Sequence, residues 1–571
     1  MILSARDELV AALIKTGREL WDIDVSPEIA IPENMDFGDL ATNLPFQLAR
    51  ELRRSPAQIA GELSGALKLP ASFKSAEPAG GFINFKFSDE FLRVLLAEII
   101  DKPADFGGMP PHGGKVNIEF VSANPTGPLN VVSARAAAVG SALVNILRHA
   151  GRDTSSEYYL NDAGNQIREL AVSFVLRIIE QRGFAVEFGR DSYRGDYLAD
   201  EAVLFADSNE TAVEELFSQI GDFRGTFSPE WAQDFFDEDP KRKAIFNGLQ
   251  SSILERMANS IRETLDGFRT SIDTFFRETA LRESGEVAET IEFLRAKGLT
   301  FEEDGALWFD TPTIDPAEEP FVLVKSDGQW TYGAVDIAYH KNKIERGFDE
   351  IYDIWGPDHH GHIGRMKAAI KALGFEGKFE VLTLQQVNLL EGGEKVKMSK
   401  REGNIVTLAE LVEDVGVDVA RFFFIARRME AHLDFDLDLA RAESDENPVY
   451  YVQYAHARIS GILEHAKNRG FDPRADRKEL ASLIHPEELA LARKLAQWPF
   501  ALANSAEEMA PHQLCFYLIE LAQAFHPFYA KHRVVSDDEA VTMARVALCR
   551  AIKETLALGL GLLGISAPEN M

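Results

Sequence analysis

The segment KVNIEFV-SANPTGPL-NVVSARAAAVGSALVNILRHA, residues 115–150, reads as a strand, a Gly/Pro loop and a long apolar helix. Residues 115–121 have the near-continuous apolar pattern of a strand covered on both faces, and the helix runs to about Ala150. Strand, Gly/Pro loop and helix in that order open a nucleotide-binding α/β domain, in which phosphate meets backbone N–H groups at the helix start. Further alternation at 155–160, 320–324 and 350–355 extends the reading to a mostly parallel sheet, interrupted by an acidic helical insertion at about 190–285.

Working outward, a Gly/Pro-rich stretch at 107–114 closes a first unit of alternating helices and strands, with a turn at 36–39 and a strand over 81–86. From 447 onward apolar residues recur at helical spacing with no strand pattern. The expected organisation is therefore an α+β unit at 1–108, an α/β domain at 109–445 and an all-α bundle at 446–571. A chain of 571 residues exceeds what one hydrophobic core supports.

Composition excludes several classes. With 46% hydrophobic, 10% aromatic and 26% charged residues, the chain is far from disordered, collagenous or coiled-coil extremes. No stretch reads as a membrane span, since the longest candidate, 556–567, is broken by glycines, and the acidic N-terminus does not read as a signal peptide. Cys515 and Cys549 are too few for a disulfide framework. A cytoplasmic monomer with no membrane partner is expected.

Lys and Arg total 60 against 91 Asp and Glu, a net charge of −31, which argues against non-specific binding to polyanions. The charge is uneven. Residues 191–240 hold 14 acids and two bases, 2 − 14 = −12, whereas 447–571 hold 13 bases and 14 acids, 13 − 14 = −1, with six of the 13 histidines. A polyanion would be met by the second region, with the insertion turned to solvent.

Two phosphate-binding spellings carry nothing. Gly559-Leu-Gly561-Leu-Leu-Gly564 ends a helix instead of following a strand, and 107–115 has the wrong spacing, with Val116 where a hydroxyl would hold magnesium. More informative is the pairing of 119–130 with Lys397-Met-Ser-Lys-Arg401 at the far end of the α/β region. Lys397 and Lys400 there are point charges for a triphosphate held at the helix start after Pro128. The turn Asp358-His359-His360-Gly361-His362 has metal-ligand residue types. Adjacent residues on one turn do not all reach one ion, and no metal site is expected.

The segments EFVSANPTGPLN (119–130), EYYLNDAGNQI (157–167), SYRGDYLADEA (192–202), WTYGAVDIAYH (330–340), IWGPDHHGH (354–362), VKMSKREGNIVTL (396–408), YVQYAHARI (451–459) and the terminal GISAPENM follow in order. In these the chain resembles the bacterial-type class I arginyl-tRNA synthetases over essentially its whole length. The resemblance implies an N-terminal tRNA-binding addition, a Rossmann catalytic domain with an insertion, and a helical anticodon-binding domain. By family position Glu119, Ser122, Asn124, Tyr332, Asp336 and Asp358 line an arginine pocket. Pro128, Leu129, Val132, His359, His360, Gly361, Met398 and Ser399 surround ATP, while Lys397, Lys400, Asn130 and Ser133 act on its phosphates. The set is chemically apt: a guanidinium has five fixed donors, which a carboxylate such as Asp336 accepts in a fork that lysine cannot match. Asn124 and Glu119 suit the α-amino end.

One signature departs from the family. After Pro-Leu the family reads His-Val-Gly-His, and this chain reads Asn130-Val131-Val132-Ser133. Asn130 still donates from its amide and Ser133 from its hydroxyl, but the option of positive charge is gone, a change of about tenfold in rate per position. Val132 adds methyl groups where a glycine would let adenine stack on backbone. The departure opens a rival reading, a catalytically impaired paralogue that binds tRNA, arginine or ATP without charging. A third is a synthetase for another amino acid. The intact lysine motif and the acidic pocket favour ATP-dependent charging of tRNA(Arg) with L-arginine through an adenylate, releasing AMP and pyrophosphate, with Mg-ATP as substrate and no tightly bound cofactor. For tRNA, family position points to Phe82 and Asn84 at the elbow, and in the C-terminal domain Tyr454, Arg458, Tyr529, Lys531 and Arg533 are residue types that supply stacking and phosphate contacts to an anticodon loop.

Overall fold

The structure is a computed structural model that describes every residue except 33, 35, 36, 224, 397–405 and 472–478, and the backbone alone at 360 and 479. The chain forms two compact units, one of His112–Val144 and Arg152–Arg441, the other of Met1–Pro111, Asn145–Gly151 and Ala442–Met571.

The first unit is built on five parallel strands: β1 (Lys115–Glu119), β2 (Asp153–Leu160), β3 (Thr274–Arg277), β4 (Glu350–Trp355) and β5 (Lys378–Thr383), in the order β5-β4-β1-β2-β3. The chain leaves β1 toward β2 on one side and returns to β4 on the other. The sheet therefore reverses between β1 and β4, and a crevice opens beyond the carboxyl ends of those two strands. Glu119 ends β1, and the 354–362 turn follows β4. The helix Val131–His149 packs back over Phe120, and a Cβ on its Gly140 would lie 2.2 Å from that ring, so only glycine permits the approach. Among the described residues this helix, not 556–567, is the one long and apolar enough to cross a membrane, and 78% of its most apolar window is buried in the protein.

The strand expected at 320–324 is present as Phe321–Val324 but is not part of the parallel sheet. It pairs antiparallel with Ala306–Phe309, which pairs with Thr300–Glu303. The turn at Asp304 and Gly305, both at positive φ, joins Thr300–Glu303 to Ala306–Phe309, and the chain reaches Phe321–Val324 through residues 310–320, which hold a 3-10 turn in place of a crossover helix. The acidic insertion folds as Asp196–Ser208, Glu210–Ile220, Pro229–Asp237 and Pro240–Gly267 around Phe205, Phe227, Phe236 and Phe246. Its charge sits outside an aromatic core.

In the other unit the strands Ile29–Ala30, Leu40–Thr42, Phe82–Phe87 and Phe73–Ala79 make one antiparallel sheet in that spatial order. The C-terminal segment is helical, with Pro448–Asn468, His512–Lys531 and Glu539–Leu562 as its long helices.

Candidate active site

β1 ends in strained backbone. Val121 and Ser122 follow Glu119 with φ of 71° and 38°, a left-handed pair in residues that seldom adopt it. The kink turns the Ser122 hydroxyl back so that it donates to Glu119 Oε1 at 2.8 Å and accepts from the Tyr159 N–H at 3.0 Å. The Tyr158 hydroxyl donates to the Ala123 carbonyl at 2.7 Å, and Tyr197 braces the same loop through Thr126. Glu119 is buried, and its second oxygen is taken by Lys343 Nζ at 2.7 Å. Asn124 is exposed, with its amide nitrogen donating to Gln166.

The helix Tyr332–Glu345, capped by Thr331, brings Tyr332 and Asp336 onto one face, four residues apart. Tyr332 is 62% exposed, and the Asp336 carboxylate faces His362 Nε2 at 3.4 Å. His362 stacks on Trp355, against which His359 also leans, while Asp358, His359 and Gly361 are exposed on the turn. The side chain of His360 lies outside the described residues.

Between these elements is a group that the sequence reading missed. The Tyr159 hydroxyl is buried without a hydrogen bond of good geometry, and burial together with the carboxylates of Glu278, Asp336 and Glu119 pushes its phenol far up. Glu278 is itself buried and pairs with Arg282 at 2.6 Å. The carboxylates of Glu278, Asp336 and Glu119 thus act on one unsatisfied hydroxyl on β2, the strand beside the switch point. A pocket of that composition accepts a cation with several N–H donors. EYYL alternates as a strand, so the outward side chain Tyr159 was there to be noticed.

On the phosphate side Asn130 is a helix cap. Its Oδ1 accepts from the N–H groups of Val132 and Ser133, both at 3.0 Å, which fixes the amide and turns its NH2 away from the helix. Ser133 is half-buried, Leu129 buried, Pro128 exposed, and Val132 36% exposed on the first turn. Lys397, Met398, Ser399 and Lys400 lie outside the described residues, but the chain on both sides of them is placed. Val396 N–H donates to Leu389, and Leu408 N–H donates to the Leu129 carbonyl at 2.8 Å, with Thr407 bridged to Asn130. The lysine motif therefore leaves from one small sheet and rejoins the chain beside the helix start. Arg135, two residues past Ser133, is fully buried and donates to the carbonyls of Gln385, Arg428 and Ala431. Burial lowers its guanidinium to about 10, with Arg427 adding to the effect. It ties this helix to the segments that flank the strand pair Val387–Glu391 and Leu433–Asp436.

In the other unit five sequence candidates meet. Tyr454, Arg458, Tyr529, Lys531 and Arg533 line one cavity of about 920 Å³ together with the terminal Met571. Arg458 lies 5.0 Å over the Tyr529 ring and donates to its hydroxyl. Phe82 is 46% exposed and packs edge-on against Phe46, whereas Asn84 is buried because its strand is central in the sheet.

The comparisons with known proteins agree along the chain. Residues 4–87 match the arginyl-tRNA synthetase N-terminal domain, 98–424 the class I (R) tRNA synthetase catalytic domain and 452–571 the DALR anticodon-binding domain. The arginine–tRNA ligase of Carboxydothermus hydrogenoformans is 43% identical over 98% of this chain and 97% of its own length. That of Bacillus subtilis is 40% identical over 99% and 98%. The Thermus thermophilus arginyl-tRNA synthetase structure superposes with a TM-score of 0.76 at 25% identity, covering 99% of this chain and all of its own.

Proposed function

Because this chain belongs to the class I arginyl-tRNA synthetase family, and so joins arginine to tRNA with ATP, we propose that it forms an arginyl-adenylate in the crevice above β1 and β4. The observation that carries this reading is that the helix Tyr332–Glu345 sets Tyr332 and the Asp336 carboxylate on one face, four residues apart, near the buried and unpartnered Tyr159 hydroxyl. Asp336 and Tyr332, with Asp358 at the rim, receive the guanidinium, and Tyr159 supplies the further acceptor that a planar five-donor group requires. Glu119 and Asn124 hold the α-amino group, with Ser122 fixing the rotamer of Glu119. This orientation leaves the arginine carboxylate free to attack the α-phosphorus of Mg-ATP in line.

Charge developing on the phosphates is met by Asn130 Nδ2, Ser133 Oγ, the backbone amides after Pro128, and Lys397 and Lys400. Leu129, Val132 and Gly361 are assigned to the nucleotide together with Met398 and Ser399 of the lysine motif, and His359 or His360 to its base or ribose. Pyrophosphate leaves, and the 2′-hydroxyl of the terminal adenosine of tRNA attacks the adenylate to release AMP. No strong base is required, since the rate comes from positioning and electrostatics. Mg-ATP enters as substrate, with no other cofactor. The chain acts as a cytoplasmic monomer with domains at 1–108, 109–445 and 446–571.

The pocket assignment is tested with citrulline, the neutral near-isostere of arginine. Calorimetry is expected to give arginine binding that citrulline, lacking the charge and one pair of donors, fails to match by at least about 100-fold. Equal affinity would overturn the assignment.

The cavity around Tyr454 and Arg458 is assigned to the anticodon loop, with Tyr454 as a stacking platform and Arg458, Lys531 and Arg533 on phosphate. Phe82, with Asn84 beneath it, is assigned to the tRNA elbow. Arg458→Ala is expected to raise the KM for tRNA about tenfold and to lower the salt dependence of that KM, leaving the KM for arginine unchanged. Charging kinetics at two salt concentrations check both parts.

A further inference from the structure

Beneath the pocket lies a row of buried carboxylates of which the reaction as described uses only Glu119. The register of β4, β1 and β2 makes Asp353, Glu119 and Glu157 cross-strand neighbours, and all three are buried. Neighbours on parallel strands share a face, so three like charges stand side by side away from water. The helix Tyr332–Glu345 and its C-terminal cap meet them with His340, Lys343 and Arg346, spaced three residues apart along one stripe.

The pairing is complete. Lys343 Nζ lies 2.7 Å from Glu119 Oε2 and 2.8 Å from Asp353 Oδ1. Arg346 makes two bonds to Glu157, at 2.8 and 2.7 Å, where the Tyr339 hydroxyl and the Asn117 amide also donate. His340 Nε2 is 2.7 Å from Asp353 Oδ2, and His340 Nδ1 is 2.7 Å from the Asp336 carbonyl. A carbonyl and an ionised carboxylate are both acceptors, so both ring nitrogens donate and the imidazole is a buried cation. Three negative and three positive charges then cancel.

Of the three carboxylates Glu119 keeps the most exposure, 8% against 1% for Glu157 and 0% for Asp353. Glu119 reaches the pocket through the oxygen it shares with Ser122, while His340 and Lys343 lie wholly below it. Burial pushes the Glu119 carboxyl up, against Lys343. Burial also acts against the His340 cation, but Asp353 outweighs it and raises the imidazole above its ordinary value.

We propose that His340 and Lys343 are positioning residues for arginine: they hold Glu119 as an ionised, fixed acceptor for the α-ammonium group, and the His340 proton sets how strongly that acceptor binds. The inference rests on the assignment of Glu119 to the α-amino group. With His340 charged the row is neutral. When its proton leaves, the row carries one negative charge under the pocket and a cationic amino acid is held more tightly. Arginine affinity therefore rises with pH through the His340 titration. The groups facing His340 and its partners are Asp353 from β4, Glu119 from β1, Glu157 from β2, and Lys343 and Tyr339 on its own helix, with the apolar Phe379 ring from β5. Ionisation of Glu119 would act in the same direction, and His340→Gln separates the two, because glutamine can donate to Asp353 but has no proton to lose.

The test is the KM for arginine and for ATP in tRNA charging between about pH 6 and pH 8.5, the interval a histidine spans, for wild type, His340→Gln and Glu119→Gln. The wild-type arginine KM is expected to fall up to about tenfold across the interval. In His340→Gln it should be flat near the wild-type high-pH value, with the ATP KM unmoved in both. A His340→Gln profile that follows wild type, with only thermal stability changed, would overturn the proposal. An arginine KM indifferent to Glu119→Gln would instead remove the assignment beneath it. Should His340→Gln fail to fold, calorimetry of arginine binding to the wild type in two buffers of different ionisation enthalpy gives the proton count directly. Net proton release near neutral pH is expected, and none would contradict the proposal.

Discussion

Lys400→Ala will lower kcat for arginine charging by about 100- to 1,000-fold while leaving the KM for arginine within about twofold. The lysine motif begins where Val396 is fixed to Leu389, and the chain rejoins beside the cap at Leu408 and Leu129. The placed chain at Leu408 thus lies beside the helix start on which Asn130 and Ser133 sit. Asn130 and Ser133 are neutral donors, so in this chain the positive charge on the transferring phosphate falls to the lysines. Removing one preorganised donor to developing charge costs about 3–4 kcal/mol at the transition state. Arginine binding uses other residues, which keeps its KM out of the effect. Pre-steady-state formation of the adenylate in the presence of tRNA checks this step apart from transfer and release. An unchanged rate would remove Lys400 from the chemistry.

Asp336→Asn is the second large effect, and it falls on the other substrate. The asparagine keeps the shape of the side chain but exchanges one acceptor for a donor and removes the charge that a guanidinium pairs with. A charge-assisted bond lost in a water-poor site is worth about 1.5–3 kcal/mol, and the misplaced NH2 adds a repulsion, so kcat/KM for arginine is expected to fall by at least about 100-fold. ATP and tRNA kinetics should be nearly untouched. Because Asp336 also faces His362, the variant frees that imidazole without unpairing a buried group, and thermal stability should change little. A variant with normal arginine kinetics would place the guanidinium elsewhere.

How much of this was legible in the sequence differs from element to element, for physical reasons. The opening strand, loop and helix declare themselves because a parallel strand buried on both faces reads as an unbroken apolar run. β4 is legible on the same ground. β3 is not: Thr274–Arg277 is four half-buried residues at the sheet's edge, too short to show a period. Phe321–Val324 has a strand's composition, but nothing local tells a parallel partner from an antiparallel one, and the decision is made by the connection 310–320 from Ala306–Phe309, which holds no crossover helix.

At the site, Tyr332 and Asp336 share a face because helical spacing of four requires it, and that much follows from sequence. The carboxylate row does not, since it depends on cross-strand register between segments up to 234 residues apart. His340, Lys343 and Arg346 at spacing three were visible as a basic stripe, but a basic stripe is ordinarily a solvated face. Asn130 shows a related limit. The sequence gives its donor capacity, while its service as a helix cap, which fixes where that donor points, appears only once the backbone is placed.

The central claim, that this chain charges tRNA with arginine although neutral donors stand at Asn130 and Ser133, meets its most direct test in one assay. Purified enzyme, ATP and total tRNA from the source organism are supplied in parallel with each of the twenty amino acids, and acid-precipitable label is followed. The expected result is rapid charging with arginine alone. Charging with another amino acid, or none at all while tRNA and ATP still bind, would contradict it.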